Sequence, residues 1–381
     1  MDDLNRLVKL RDLGQSVWLD FISRDLMTSG ELRRLIDDDA VRGMTSNPTI
    51  FEKAIGGSGD YDHQIEKLAR DGRDAREICD ALAVADVQSA ADTLRPVFDA
   101  EAGADGYVSI EVGPWLAHDT EKTGSEAHRL WRLVDRPNLM VKIPATPAGI
   151  PAIRDCLAEG ININATLMFS IADYEAVVEA FLSALERRVL RGEAVDGVAS
   201  VASFFVSRVD TLADKLIDER LRDESRADVR RSLEGLRGQL AVANAKLVYE
   251  RFREVFDSER WQRLQECGAR VQRVLWASTG TKNAAYSDVK YVDELIGADT
   301  ITTLTPATIA AFRDHGALRR TVDEHLAEAH RLFAQARDAG IDMEAVTARL
   351  QVEGVAAFVK SYETLLAVID DKRRRARGEV A

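Results

Sequence analysis

The stretch NINATLMFSIADYEAVVEAFLSALERRVL, residues 162–190, joins a short apolar run to a long amphipathic segment. Residues 162–170 have the length and side-chain composition of a buried strand. In residues 172–190 the apolar side chains recur at helical spacing and form one face, at Val177, Val178, Phe181, Leu182 and Leu185. The stretch therefore predicts a strand followed by a helix.

Runs of the same kind recur along the chain, and a helical pattern separates each from the next. The predicted strands are residues 16–20, 41–46, 106–112, 138–144, 162–170, 197–205, 273–278 and 300–304. No two-residue hairpin turn joins any of them, so we expect parallel strands. Eight such units predict an α/β fold, a (β/α)8 TIM barrel. The alternative, an open doubly wound sheet, usually has a glycine-rich turn after its first strand, and this sequence lacks that turn.

The remaining length of the chain is helical in pattern. Residues 206–272 predict a helical insertion between strands 6 and 7, and residues 310–381 predict C-terminal helices. This tail is expected to dock through an apolar stripe at Val355, Val359, Tyr362, Leu366 and Ile369. Its end, KRRRARGEVA at residues 372–381, is expected to fray. The predicted organisation is a single barrel domain over residues 1–381 with additional helices, including a C-terminal helical tail.

Composition narrows the class of partner. The 381 residues include 51 Lys and Arg and 64 Asp and Glu, for a formal net charge of −13. Such an acidic surface argues against general binding to nucleic acid or to a membrane, although a local basic site can still bind a small anion. Three widely spaced cysteines and the lack of an apolar leader or membrane-spanning stretch predict a cytoplasmic protein.

Polar side chains collect at the carboxyl ends of the predicted strands, where the catalytic groups of a barrel lie. Lys142 stands in the apolar run NLMVKIPATPAG, residues 138–149, Glu111 stands in the preceding strand, and Asp20 ends the first strand. A strand lysine taken alone is usually an exposed edge residue. The polar residues that share this rim, which favour a site instead, include Asn47, Asn164, Thr166, Ser203, Arg208, Ser278 and Lys282.

A lysine in this setting suits one chemistry. An amine in a partly dry barrel mouth can attack a ketone and form a Schiff base, whose protonated imine lets a neighbouring carbon–carbon bond break. Glu111 and Asp20 are expected to move the protons. The strand end STGTKN, residues 278–283, predicts a phosphate site, because small residues expose their N–H groups beside Lys282. The sequence lacks the histidine spacing of a zinc-binding helix, and it contains neither a GxSxG elbow nor a P-loop. No metal site is predicted.

Six motifs in order carry a family resemblance: GMTSNPTIFEKAI, SIEVGPWLAHDT, NLMVKIPAT, GININATLMFS, SVASFFVSRVDT and WASTGTKN. With them the chain resembles transaldolases over residues 4–368, in the longer bacterial branch typical of actinobacteria and cyanobacteria. The resemblance implies a class I aldolase barrel without a metal or organic cofactor. It also implies the pentose phosphate pathway reaction, in which sedoheptulose 7-phosphate and glyceraldehyde 3-phosphate give erythrose 4-phosphate and fructose 6-phosphate by transfer of a dihydroxyacetone unit.

The resemblance implies a role for each catalytic candidate. Lys142 matches the Schiff-base lysine. Glu111 matches the acid and base that acts through a water, and Thr166 matches the residue that positions this water. Asp20 matches the carboxylate that handles the proton of the hydroxyl beside the scissile bond.

The substrate-binding candidates follow from the same resemblance. Asn47 and Asn164 match groups that hold the dihydroxyacetone hydroxyls, and Ser203 resembles a further substrate contact. Arg208 and Ser278 match phosphate-binding positions. Better-known relatives have an arginine shortly after the serine, and here Lys282 is expected to carry the phosphate charge without the bidentate fork of an arginine.

Three alternatives stay open at the level of sequence. The first is a ketose-phosphate aldolase that shares the imine chemistry and releases free dihydroxyacetone. The second is a barrel enzyme in which Lys142 holds pyridoxal phosphate, and the third is a barrel that acts only through its helical surfaces. Small sugar phosphates are the expected partners, and the sequence leaves both a monomer and a homodimer open.

Overall fold

The computed structural model describes residues 5–379. Its strands are β1 (Gln15–Leu19), β2 (Val41–Met44), β3 (Val108–Glu111), β4 (Leu139–Pro144), β5 (Ile163–Met168), β6 (Ser200–Phe205), β7 (Arg273–Ala277) and β8 (Thr300–Leu304). They follow one another around a closed parallel barrel, in which β1 pairs with both β2 and β8. The predicted strands and the predicted barrel are confirmed.

Helices surround the barrel. In chain order they are α1 (Arg6–Asp12), α2 (Arg24–Thr28), α3 (Glu31–Asp38), α4 (Pro48–Gly56), α5 (Asp62–Arg70), α6 (Ala75–Ala100), α7 (Thr120–Val134), α8 (Gly149–Ala158), α9 (Ile171–Leu190), α10 (Ser207–Asp223), α11 (Ala227–Leu236), α12 (Leu240–Phe256), α13 (Glu259–Glu266), α14 (Lys290–Asp293), α15 (Pro306–His315), α16 (Leu326–Asp338) and α17 (Met343–Ala376). A 3₁₀-helix spans Pro114–Leu116. Across the described residues, every helix is too short or too polar to cross a membrane.

Local sequence explains why the strands are apolar and where the helices begin. Residues of β4, β5 and β6 are buried throughout, since helices cover the outside of the barrel and side chains fill its inside. Asn47 caps α4 by accepting the Ile50 N–H, with Pro48 at the first helical position. Ser170 and Asp173 form a capping box at the start of α9. The strand-to-helix boundaries are therefore set by residues on the rim where the candidate site lies.

Gly149, the first residue of α8, allows a close approach between this helix and the end of β4. A Cβ atom at this position would lie 1.9 Å from the carbonyl oxygen of Pro144. Only glycine avoids that clash, so the turn in the motif PATPAG requires it. The turn holds the end of the strand that carries Lys142.

The C-terminal helix α17 has 34 residues and crosses the carboxyl end of the barrel. The predicted docking stripe is confirmed at Val355 and Ile369, which are buried. Three other predicted members are half-buried, because they lie at the edge of the contact face: Val359, Tyr362 and Leu366. The buried centre of that face includes Leu350, Phe358 and Leu365.

The expectation of a frayed terminus is wrong for residues 372–376, because α17 continues to Ala376. The Lys372 Nζ atom donates to the carbonyl oxygens of Ile55 at 3.2 Å and Ser58 at 2.9 Å, and it lies 2.7 Å from Asp62 Oδ1. These contacts tie the basic end of the helix to α4 and α5. Residues 380–381 of the predicted frayed segment lie outside the described residues.

Candidate active site

Lys142 and Glu111 are neighbours in the barrel wall, because Glu111 of β3 is the register partner of Lys142 on β4. The Lys142 Nζ atom lies 3.5 Å from Glu111 Oε2, and the two side chains are only 5% and 2% exposed. Nζ also donates to the carbonyl oxygen of Ser46 at 3.3 Å. The strand register thus brings an amine and a carboxyl together in a buried setting.

Glu111 is suited to proton transfer. Burial raises the pKa of Glu111 from its ordinary 4.5 to about 7, and the neighbouring Lys142 opposes only part of this shift. Within residues 5–379, neither carboxyl oxygen has a hydrogen-bond partner, so the contact with Nζ is an ion pair without hydrogen-bond geometry. A carboxyl whose pKa is close to neutrality can both donate and accept a proton at the working pH.

Asn164 and Thr166 of β5 continue this arrangement on the other side of Lys142. Asn164 is the register partner of Lys142, and its amide donates to Ser109 Oγ at 3.0 Å and accepts from Ser203 Oγ at 2.7 Å. Thr166 is buried, and its hydroxyl has no partner among the described residues. Because buried polar atoms are normally hydrogen-bonded, the Thr166 hydroxyl is an available group for a ligand or a water.

The backbone of β5 changes course immediately after Thr166. Leu167 has a φ of +58°, and the pairing of β5 with β6 shifts register between Ala165 and Met168. A buried leucine in this left-handed region costs on the order of 1–3 kcal/mol, and such strain clusters at functional sites. The irregularity interrupts the pairing of β5 with β6 between Ala165 and Met168, so Thr166 lies within it.

A cavity of about 410 Å³ opens at the carboxyl end of the barrel. The predicted site residues that line it are Asp20, Asn47, Lys142, Ser203, Arg208, Ser278 and Lys282. The other three, Glu111, Asn164 and Thr166, do not line this cavity and are packed in the barrel wall on the two strands beside β4. All ten predicted residues therefore gather at one end of the barrel, seven on the cavity surface and three in the barrel wall.

Asp20 follows β1 directly, one residue beyond the strand. Its Oδ1 atom accepts a hydrogen bond from Thr45 Oγ1 at 2.6 Å, and its backbone N–H donates to Leu304 at 2.8 Å. These bonds hold the carboxylate against the cavity wall, between the ends of β2 and β8. The position suits a group that exchanges a proton with a ligand hydroxyl.

Arg208 and Ser278 both line the cavity, and the Arg208 guanidinium makes this part of the wall cationic. Arg208 lies in the first turn of α10, and burial lowers the pKa of its guanidinium. Ser278, with a φ of +55°, follows β7, and its carbonyl oxygen accepts the Ser207 N–H at 3.1 Å. A half-buried cation beside a helix N-terminus favours an anion. Lys282 lies further out on the same loop, exposed at the rim of the cavity.

The cavity wall also contains residues that were not among the predicted site residues, and they include Lys53, Phe205 and Phe358. Phe205 lies two residues after Ser203, so strand alternation was a signal that it faces the same side. Lys53 lies four residues after Thr49 on α4, and both line the cavity, which helical spacing was able to indicate. Phe358 comes from α17, and no local signal connects it to the site.

Comparisons with known proteins give consistent matches over nearly the whole chain. A sequence model of the family described as Transaldolase/Fructose-6-phosphate aldolase matches residues 17–369. The chain is 44% identical over 372 residues to Transaldolase 2 of a Nostoc species, covering 97% of this chain and 98% of the relative. It is 46% identical to the transaldolase of Saccharopolyspora erythraea, covering 98% and 99% of the two chains, and 49% identical to that of Mycobacterium bovis, covering 94% and 95%.

Proposed function

The chain belongs to the transaldolase/fructose-6-phosphate aldolase family, and from this premise we propose that it transfers a dihydroxyacetone unit between sugar phosphates. Sedoheptulose 7-phosphate and glyceraldehyde 3-phosphate would give erythrose 4-phosphate and fructose 6-phosphate, a reaction of the pentose phosphate pathway. Such an enzyme is a transferase. The observation that carries the proposal is the buried pair of Lys142 and Glu111 beside a cationic cavity.

The reaction begins with imine formation at Lys142. The neutral amine attacks the C2 carbonyl of the ketose phosphate, and the resulting carbinolamine loses water to give the imine. Glu111 donates the proton that makes the hydroxyl a leaving water, acting through a water that Thr166 positions. Two observations support these roles. Glu111 Oε2 lies 3.5 Å from Lys142 Nζ, and the Thr166 hydroxyl has no hydrogen bond to any residue of the described chain.

Carbon–carbon cleavage follows. Asp20 takes the proton of the C4 hydroxyl, the C3–C4 bond breaks, and its electron pair moves toward the imine nitrogen. The aldose phosphate departs, and the three dihydroxyacetone carbons stay on Lys142 as an enamine. The enamine carbon then attacks the aldehyde of an acceptor, Asp20 returns the proton to the new hydroxyl, and hydrolysis of the imine frees the new ketose. Asp20 lines the same cavity as Lys142, which supports this role.

The remaining candidates hold the substrate. Asn47, Asn164 and Ser203 bind hydroxyls of the dihydroxyacetone unit, and the hydrogen bond between Asn164 and Ser203 orients both side chains. Arg208, Ser278 and Lys282 bind the phosphate. The half-buried guanidinium carries most of this interaction, since the exposed Lys282 is screened by solvent.

The proposal extends to the setting of the enzyme. Small sugar phosphates are its partners, it binds neither nucleic acid nor membrane, and it needs no metal or organic cofactor. It acts in the cytoplasm as a monomer or homodimer, and the free thiols of Cys79, Cys156 and Cys267 support a reducing compartment. Its single barrel domain spans residues 1–381, with residues 206–272 as a helical insertion and residues 310–381 as C-terminal helices.

Borohydride reduction tests the imine directly. The protein is incubated with fructose 6-phosphate and sodium borohydride, digested, and mapped by mass spectrometry. We expect a three-carbon adduct on Lys142, with the departing glyceraldehyde 3-phosphate recovered in equal amount as glycerol 3-phosphate, its borohydride reduction product. Lys142→Arg keeps the charge but lacks an amine that deprotonates, and it should form no adduct. Turnover with an unmodified Lys142 would rule the mechanism out.

The same preparation separates the rival functions. With erythrose 4-phosphate as acceptor, the proposed activity yields sedoheptulose 7-phosphate. Release of free dihydroxyacetone faster than this transfer would assign the chain to the aldolase side of its family. Visible-violet absorbance of the purified protein that disappears in Lys142→Arg would instead support bound pyridoxal phosphate.

A further inference from the structure

The C-terminal helix α17 passes very close to the candidate site. The Gln351 Nε2 atom donates to the carbonyl oxygens of Ala145 at 3.1 Å and Leu167 at 3.4 Å, at the ends of β4 and β5. One turn further, a Cβ atom on Gly354 would lie 3.0 Å from the Leu167 side chain and 3.7 Å from Arg208 Nη1. The glycine therefore lets the helix backbone rest almost directly on the barrel rim.

This close approach puts the ring of Phe358 over the reacting groups. Its ring centre lies 6.0 Å from Lys142 Nζ and 6.0 Å from Arg208 Cζ, and the residue is 3% exposed. Phe358 also lines the 410 Å³ cavity. The ring thus forms an apolar wall beside both the amine that would carry the imine and the cation that would hold the phosphate, 6.0 Å from each.

We infer that Phe358 determines whether the dihydroxyacetone unit is transferred to an acceptor sugar or released by water. The inference rests on the proposed function, because it concerns the intermediate that this function creates on Lys142. The three-carbon intermediate has two fates. In transfer, its enamine carbon forms a carbon–carbon bond with the acceptor aldehyde.

In release, the enamine first takes a proton on carbon, water adds to the imine carbon, and the carbon–nitrogen bond breaks. This route returns the Lys142 amine and frees dihydroxyacetone. Enclosed sites protect reactive intermediates by excluding water, and an aromatic ring next to Nζ performs that exclusion here. The C-terminal helix would therefore separate transferase behaviour from aldolase behaviour within one barrel.

Two substitutions of the ring test the inference. Phe358→Ala opens the wall, while Phe358→Leu keeps an apolar side chain and preserves the fold if the alanine variant does not. The matched control is Ile369→Ala, a buried position on the same helix that does not line the cavity. It reports what loosening the helix does by itself.

The measurement is the rate at which dihydroxyacetone leaves the intermediate in the absence of acceptor. The intermediate is formed from fructose 6-phosphate, glyceraldehyde 3-phosphate is removed enzymatically, and free dihydroxyacetone is followed by its reduction with NADH. For Phe358→Ala we expect release to accelerate by about tenfold, while sedoheptulose 7-phosphate formation from erythrose 4-phosphate slows. Phe358→Leu should shift in the same direction by less, and Ile369→Ala should release at the wild-type rate.

The outcomes separate the inference from the function beneath it. An unchanged release rate in folded Phe358→Leu and Phe358→Ala overturns the inference, and so does an equal acceleration in Ile369→Ala. In either case an adduct on Lys142 of the wild-type protein leaves the proposed function standing. A wild-type protein that turns over substrate without any adduct on Lys142 overturns both.

Discussion

Glu111 shows how a single buried side chain acquires the chemistry of its site. Its carboxyl is 2% exposed, and burial raises its pKa to about 7 against the attraction of Lys142. Below that pH the group is mostly a neutral acid that can donate a proton, and above it the group is mostly a carboxylate that cannot. The dehydration step assigned to Glu111 needs the acid form.

We therefore predict a pH dependence that belongs to Glu111. The rate of imine formation is measured by borohydride trapping in single turnovers. The part of this rate that depends on the acid form of Glu111 should fall as the pH rises through about 7. Glu111→Gln should be slower by at least about 100-fold, and its profile should lack this inflection. An inflection near neutrality that persists in Glu111→Gln would assign the ionisation to another group.

A second prediction concerns Thr166, where one substitution should raise the stability of the protein and lower its activity. Its buried hydroxyl has no partner among the described residues, so Thr166→Val should raise the free energy of unfolding by about 1 kcal/mol. Imine formation should slow by about tenfold or more, because the water is no longer positioned.

Thr302 provides the control, since its hydroxyl is also buried without a partner in the described chain, but it lies on β8, which pairs with β1 and β7 and not with the strand that carries Lys142. Thr302→Val should stabilise the protein similarly and keep full activity. Urea denaturation and the trapping assay measure the two effects. Equal activity of the two variants would remove Thr166 from the mechanism.

At the scale of the elements, the start of α10 and the loop after β7 act as one unit. The Ser207 and Ser278 hydroxyls lie 3.0 Å apart, and the Ser207 N–H donates to the Ser278 carbonyl. This contact holds Arg208 beside the loop that carries Lys282. The proposed phosphate site thus depends on two elements whose sequences are about 70 residues apart.

Substitutions in these two elements should raise KM for fructose 6-phosphate by different factors. Arg208→Ala should raise KM for fructose 6-phosphate on the order of 100-fold, since a half-buried guanidinium is lost from the phosphate. Arg208→Lys should recover only part of this, because an ammonium lacks the planar fork. Lys282→Ala should raise KM by only about two- to fivefold, because the residue is exposed.

The control for this comparison is unphosphorylated fructose as donor. Its KM should be almost unchanged in all three variants. Steady-state kinetics with both donors provide the measurement. A larger effect for Lys282→Ala than for Arg208→Ala would mean that the exposed lysine, rather than the buried arginine, binds the phosphate.

At the scale of the whole molecule, the charge of the cavity opposes the charge of the protein. The chain has a formal net charge of −13, yet the described residues that line the cavity include several cations and a single carboxylate, Asp20. The cations are Lys53, Lys142, Arg208 and Lys282. A locally positive cleft attracts anionic substrates while the acidic surface repels them elsewhere.

This contrast predicts a salt dependence. Raising the ionic strength from roughly 0.05 to 0.5 M should lower kcat/KM for fructose 6-phosphate by about threefold or more, because salt screens the exposed charges at the rim. Fructose without phosphate should show almost no dependence. Lys53→Gln should reduce the salt effect for the phosphorylated donor, and an unchanged salt slope in that variant would show that Lys53 does not attract the substrate.

The sequence by itself determined the barrel and the rim on which its polar residues lie. Strand and helix periodicities are local, and parallel strands place their carboxyl ends together, so Lys142, Glu111 and Arg208 were candidates before any distance was known. Only the tertiary structure decided that Glu111 is the register partner of Lys142 and that the two side chains are almost fully buried. It alone brought Phe358 over Lys142 from a helix more than 200 residues away along the chain. The physical reason is that periodicity shows which face of a helix is apolar but not which surface that face will cover.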